Sequence, residues 1–112
     1  MMARAVIAAS LVAGLLAGAA SAETSFIRYG CERGVEVPVV YVTDTNTDIA
    51  VLEVEGGMIQ LEAEEAASGV RYGWPSDGSH YVWWTKGDEA MLNWVDGETG
   101  EEVTLLASCL RK

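Results

Sequence analysis

The feature that most constrains the fold is a series of short segments rich in Val, Ile, Tyr, Trp and Thr, separated by clusters of Gly, Asp, Asn and Pro. A spacing of roughly 8 to 12 residues between such segments is typical of antiparallel all-β domains. The segments number eight and span residues 26–31, 35–42, 47–55, 58–63, 69–73, 80–85, 89–95 and 102–110. The pattern therefore predicts an all-β domain of eight antiparallel strands.

Pairs of turn-forming residues separate several of these segments. Gly56-Gly57 is expected to form a two-residue hairpin turn, because glycine accepts the positive φ angles that such turns require. Asp77-Gly78 and Asp96-Gly97 mark two further turns.

The chain has two cysteines, Cys31 in the first predicted strand and Cys109 in the last. Strict alternation places both on apolar faces, with Ile27 and Tyr29 in the first strand and with Val103, Leu105 and Ala107 in the last. If they pair in an oxidising compartment, a disulfide joins the first and last strands, as expected of a small closed barrel. A two-sheet sandwich and a pair of free thiols are the alternatives. In the chain-entropy model the bond would contribute about 4 to 5 kcal/mol.

The N-terminus has the three parts of a secretory signal peptide: Arg4 in a short positive region, an apolar run over residues 5–20, and Ala20-Ser21-Ala22 as the cleavage site. The run is shorter than the ~20 strongly apolar residues of a membrane anchor. A lipid anchor would require a cysteine near the cleavage site, and the sequence has none there. We therefore expect residues 1–22 to be a signal peptide, and residues 23–112 to form one domain without a stable membrane anchor, periplasmic or secreted.

The charge is strongly acidic. The formal net charge of the whole chain is −10, and loss of Arg4 with the signal peptide changes it to −11. Such a balance argues against nucleic acid, which selects for Lys and Arg. It is compatible with a basic partner, or with no more than solubility.

No pattern predicts catalytic residues, a metal or a cofactor. Asp44, Asn46 and Asp48 have the spacing of a calcium loop, but Ile49 occupies the position that requires glycine. His80 is the single histidine, so one chain cannot form a multi-histidine metal site. The adjacent acidic pairs are expected on the surface, and we predict a protein that is not an enzyme.

Aromatic residues concentrate between residues 68 and 94, around the single lysine of that region, Lys86. Alternation directs one set of side chains into the core and the other outwards; the two sets are Tyr81, Trp83 and Thr85, and Val82, Trp84 and Lys86. In so acidic a chain, Lys86 is a natural anchor for a carboxylate of a partner.

Two motifs in this region resemble a known family. Ser68-Gly69-Val70-Arg71-Tyr72, followed by Tyr81-Val82-Trp83-Trp84-Thr85-Lys86-Gly87-Asp88-Glu89-Ala90, is similar to the paired signature of the membrane-bound and periplasmic inhibitors of C-type lysozyme, the MliC/PliC family. The resemblance implies an eight-stranded barrel, no cofactor, and a basic lysozyme as partner. Without a lipid-anchor motif, the chain resembles the soluble periplasmic branch.

The resemblance also implies roles for five residues. Ser68 and Lys86 would enter the lysozyme cleft and engage its catalytic carboxyl groups. Gly69 and Gly87 would allow close approach of the backbone, and Tyr72 would support the Ser68 loop. The sequence leaves open whether the protein forms a homodimer and what the segment 73–80 contacts.

The alternative function is a cell-wall or carbohydrate-binding module, in which Trp74, Tyr81 and Trp84 form a stacking platform. A structural envelope protein without a ligand is the third possibility.

Overall fold

A computed structural model of the protein describes residues 22–44 and 46–112. The predicted signal peptide, except Ala22, lies outside the described residues. The strands are β1 (Glu23–Cys31), β2 (Glu36–Thr43), β3 (Ile49–Val54), β4 (Gly57–Glu64), β5 (Val70–Gly73), β6 (His80–Lys86), β7 (Glu89–Val95) and β8 (Glu102–Arg111), with one 3-10 turn at Glu32–Gly34. In this described part of the chain, no helix is long and apolar enough to cross a membrane.

The eight strands form a closed barrel in sequence order, and every neighbouring pair is antiparallel. The predicted fold is confirmed. Because the strands alternate in direction, the connections fall alternately at the two ends of the barrel. The β2–β3, β4–β5 and β6–β7 connections share one end, called here the upper end. The other connections lie at the lower end.

The predicted disulfide closes the barrel. Cys31 and Cys109 are register partners in the β1–β8 pair, and a disulfide bond joins them. The first and last strands pair over three register positions, Tyr29–Arg111, Gly30–Leu110 and Cys31–Cys109, and this pairing closes the sheet into a barrel.

The barrel interior is filled by aromatic and aliphatic side chains. Trp83 is fully buried and packs edge-on against Tyr29, with ring centroids 5.1 Å apart. Its indole N–H donates to the Tyr41 hydroxyl over 2.9 Å, and this hydroxyl lies 2.8 Å from that of Tyr29. Each buried polar group of this cluster therefore has a partner, as burial of polar atoms requires.

The β3–β4 turn begins one residue earlier than predicted. Its two central residues are Glu55 and Gly56, with φ of 49° and 83°, and Val54 pairs with Gly57. Gly57 is already the first residue of β4. The prediction of a Gly56-Gly57 turn was wrong because Glu55 adopts the left-handed conformation that we assigned to glycine alone.

The alternation predicted for β8 was also wrong. Leu106 and Cys109 are buried, whereas Val103 and Ala107 are exposed. Two irregularities in the β7–β8 register each add one residue to β8, and each extra residue shifts the alternation by one position. One of these extra residues lies between Leu106 and Cys109. In that stretch the backbone N–H groups of Ala107 and Ser108 donate hydrogen bonds to the Glu32 carboxylate, over 2.5 and 3.0 Å.

Candidate functional site

The two motifs lie on neighbouring strands and meet at the upper end of the barrel. The first comprises the end of the β4–β5 connection and most of β5, and the second comprises β6 and the β6–β7 turn. Val70 pairs with Thr85 in register, and the Thr85 hydroxyl donates to the Val70 carbonyl over 3.3 Å. Antiparallel pairing of β5 with β6 therefore brings Ser68 to the strand end that carries Lys86.

Gly69 allows this close approach. Its φ is +67°, and a Cβ atom built on it would lie 2.1 Å from the Thr85 carbonyl oxygen and 2.7 Å from Lys86 Cγ. These distances are far below van der Waals contact. Any larger residue at position 69 would push the Ser68 loop away from β6.

The backbone of Ser68 is fixed by Trp84, whose indole N–H donates to the Ser68 carbonyl over 2.9 Å. The Ser68 side chain is exposed, and its hydroxyl has no hydrogen-bond partner among residues 22–44 and 46–112. The loop is therefore held through its carbonyl while its hydroxyl remains available.

Lys86 differs from every other basic residue of the described ranges. Its ammonium lies over the Trp84 ring, 5.5 Å from the ring centroid, and has no carboxylate within 4.0 Å. The other lysines and arginines of the same ranges all form ion pairs, and they are Arg28, Arg33, Arg71, Arg111 and Lys112. An exposed, uncompensated cation thus stands beside the Ser68 loop in an otherwise acidic protein.

Gly87 begins the two-residue turn that follows Lys86. Its φ is +60°, and Lys86 pairs with Glu89 across the turn. A positive φ at the first turn position favours glycine. Gly87 has no heavy atom near the position of a Cβ, so its role is conformational.

Tyr72 is buried inside the barrel, with its ring 5.6 Å from that of Tyr41. Burial raises the pKa of its hydroxyl. Its side chain therefore faces the barrel interior and not the surface that carries Ser68 and Lys86.

Arg71 and Glu102 belong to the site although the sequence did not identify them as site residues. Two Arg71 nitrogens bind the two Glu102 oxygens over 2.9 and 2.8 Å, and the guanidinium lies 5.1 Å from the Trp84 ring centroid. The hydrogen bonds to Glu102 raise the pKa of Arg71, and those from Arg71 lower the pKa of Glu102. The available signal was Arg71 itself, which alternation places opposite to Tyr72 and therefore outside the barrel.

The three rings of the alternative stacking platform do not form one surface. Trp84 lies at the upper end, beside Ser68. Tyr81 faces the core, and its hydroxyl donates to Glu55 of the β3–β4 turn at the lower end. Trp74, at the lower end, is 44% exposed and lines a concavity of about 390 Å³ with Tyr81 and Trp94.

A family model and two individual relatives that match this chain carry the same description. The family model described as "MliC: Membrane-bound lysozyme-inhibitor of c-type lysozyme" matches residues 29–100. A membrane-bound lysozyme inhibitor of C-type lysozyme from Pseudomonas aeruginosa is 33% identical over 91 residues, which are 79% of this chain and 68% of the relative. A protein of the same description from Cupriavidus necator is 35% identical over 66 residues, which are 59% of this chain and 50% of the relative.

Two solved structures are similar. The crystal structure of Pseudomonas aeruginosa MliC in complex with hen egg white lysozyme aligns with a TM-score of 0.63 and 26% identity, over 98% of each chain. The crystal structure of PliC, the periplasmic lysozyme inhibitor of C-type lysozyme from Salmonella typhimurium, aligns with a TM-score of 0.62 and 28% identity, over 80% of this chain and 99% of that one.

Proposed function

The chain belongs to the MliC family of membrane-bound inhibitors of c-type lysozyme, and on that premise we propose that it inhibits a C-type lysozyme by inserting Ser68 and Lys86 into the active-site cleft. The observation that carries this proposal is the uncompensated ammonium of Lys86 beside the free hydroxyl of Ser68. The relatives with this description are inhibitors rather than enzymes.

The chemistry of the target explains why these two groups suit the task. A glycosidase of this kind uses two carboxyl groups, one protonated and one ionised, on either side of the bond to be cleaved. An ammonium pairs with the ionised carboxylate, and a hydroxyl can accept from or donate to the other group. Occupation of both carboxyl groups excludes the sugar chain and blocks the reaction.

The remaining predicted contact residues support these two anchors. Gly69 keeps the Ser68 loop against β6, and Gly87 forms the turn that presents Lys86. Tyr72 acts from inside the barrel by fixing β5, so we assign it a supporting role without direct contact.

The acidic charge of the protein favours association with a basic lysozyme. The net charge of −11 that residues 23–112 carry, one more negative than the −10 of the whole chain because Arg4 is lost, produces an attractive field for a basic lysozyme and increases its association rate. We expect the association rate constant to fall as salt rises, because ions screen this long-range attraction. A partner without basic charge would show little of this dependence.

We propose that the inhibitor acts outside the cytoplasm. Its relatives are membrane-bound or periplasmic, which supports an envelope location. The N-terminal segment matches a secretory signal, so we propose that residues 1–22 direct export and that residues 23–112 are the inhibitory domain. Mass spectrometry of the exported protein tests cleavage after Ala22.

Inhibition of cell-wall lysis by a C-type lysozyme tests the proposed function. The exported, purified protein is titrated beside Ser68→Ala and Lys86→Glu. Ser76→Ala is the matched control for loss of the hydroxyl. Lys112→Glu is the control for charge reversal at an exposed lysine outside the site, and it also breaks the ion pair between Lys112 and Glu36.

We expect inhibition by the unaltered protein and both controls, and weaker inhibition by both site variants. Absence of inhibition by the unaltered protein against several C-type lysozymes would refute the proposal. Equal losses in the site variants and their controls would refute the assignment of Ser68 and Lys86.

A further inference from the structure

We propose that Trp84 is the positioning residue of this site: its indole fixes the Ser68 loop and at the same time underlies Lys86. The inference rests on the proposed function and deepens it. The distance between Ser68 and Lys86 would then be set by the side chain of Trp84, which is not itself one of the two inserted residues.

Trp84 contacts both anchors in different ways. Its N–H donates to the Ser68 carbonyl over 2.9 Å, and its ring lies 5.5 Å below the Lys86 ammonium. A cation within about 6 Å of an aromatic face is attracted to it. An indole has only two side-chain torsions, so it holds both contacts with little loss of conformational entropy.

Trp84 also contacts a second cation, which belongs to neither anchor. The Arg71 guanidinium lies 5.1 Å from the same ring and binds Glu102 through two parallel hydrogen bonds. Asn93 donates a further hydrogen bond to Glu102 over 2.7 Å. The Trp84 ring on β6 therefore contacts Arg71 of β5, and the position of Arg71 is in turn fixed by Glu102 of β8 and Asn93 of β7.

The network also accounts for the availability of Lys86. Glu102 and Glu64 both lie near Arg71 and compensate its charge. Among the residues that the structure describes, neither of them forms an ion pair with Lys86, whose ammonium lies over the Trp84 ring. An anchor that is already in position loses less side-chain freedom when the complex forms.

The test uses Trp84→Phe, which keeps an aromatic ring and removes the N–H that binds Ser68. Trp94→Phe is the matched control, because Trp94 is also half-buried but packs on Tyr81 rather than on the site. Two quantities are measured: backbone flexibility of residues 65–69 in the free protein by heteronuclear NOE, and the inhibition constant against a C-type lysozyme.

For Trp84→Phe we expect a more flexible loop and an inhibition constant about fivefold higher, the effect of one lost neutral hydrogen bond. Trp84→Leu, which also removes the aromatic face below Lys86, should inhibit lysozyme even more weakly. Trp94→Phe should change neither quantity. Thermal unfolding of each variant verifies that the barrel is intact.

The outcomes separate this inference from the function on which it rests. Unchanged inhibition by Trp84→Phe overturns the inference, whether or not the loop becomes flexible. Weaker inhibition with an unchanged loop also overturns it, because Trp84 would then act by direct contact. If the unaltered protein does not inhibit at all, the proposed function fails, and the NOE measurement still decides whether Trp84 fixes the loop.

Discussion

Replacement of Gly69 by alanine tests how the site is assembled, with Gly56→Ala as a matched control. Both glycines have positive φ angles, +67° at Gly69 and +83° at Gly56. Gly56 lies in the β3–β4 turn at the lower end, and no heavy atom lies within 4 Å of its Cβ position. The two substitutions therefore impose similar backbone strain but different steric consequences.

The expected magnitudes follow from this difference. A left-handed conformation costs a non-glycine residue roughly 1–2 kcal/mol, and Gly56→Ala should lower the free energy of unfolding by about that amount. Gly69→Ala bears the same strain, and its Cβ also overlaps the Thr85 carbonyl oxygen at 2.1 Å. Overpacking of this kind costs about 1–3 kcal/mol more, unless the loop moves away from β6.

Urea unfolding and lysozyme inhibition measured on the same samples distinguish the two variants. We expect Gly69→Ala to be the less stable variant and to inhibit at least about tenfold more weakly, since displacement by a fraction of an ångström separates Ser68 from Lys86. Gly56→Ala should inhibit like the unaltered protein. Equal inhibition by the two variants would refute the role of close approach at Gly69.

Three further predictions concern the barrel itself. Reduction of the disulfide should lower the free energy of unfolding by about 4–5 kcal/mol, which thermal unfolding with and without reductant measures; an unchanged transition would contradict this. Tyr41→Phe leaves the buried Trp83 N–H without its acceptor and should cost about 1–3 kcal/mol, whereas Tyr81→Phe, whose hydroxyl is at the barrel end, should cost less in the same urea titration. Backbone hydrogen bonds lower the pKa of Glu32 below 4.5, so its contribution to stability is present above that pH and is lost as the pH falls through its folded pKa. Acid unfolding of Glu32→Gln should therefore depend less on pH below about 5 than that of the unaltered protein, and identical profiles would exclude this role.

The fold could be predicted because its signals are local. Alternation and turn residues located all eight strands, and the cysteines in the first and last strands indicated closure. The β8 irregularities could not be predicted, because no local sequence signal marks them; the contact of the bulged stretch near Ala107 with Glu32 spans 75 residues of sequence. The β3–β4 turn was displaced by one residue because Glu55 accepts a conformation that sequence rules assign to glycine or asparagine.

Only part of the site could be predicted from the sequence. The charge balance singled out Lys86, but Ser68 was identified by resemblance to a family, since nothing in the composition distinguishes it from other loop serines. The contacts of Trp84 with Ser68 and with Arg71 depend on the β5–β6 register. A shift of one residue would have turned these side chains to opposite faces, so only the structure could reveal them.

The most direct test of the central claim is a double-mutant cycle across the complex. Lys86→Met is combined with replacement of each catalytic carboxyl group of a C-type lysozyme by an amide, and the four dissociation constants of each cycle are measured by calorimetry. Direct pairing predicts a coupling energy of about 1.5 kcal/mol or more between Lys86 and one of the two carboxyl groups. Additive effects in both cycles, with coupling near zero, would show that Lys86 does not engage the catalytic carboxyl groups and would contradict the account.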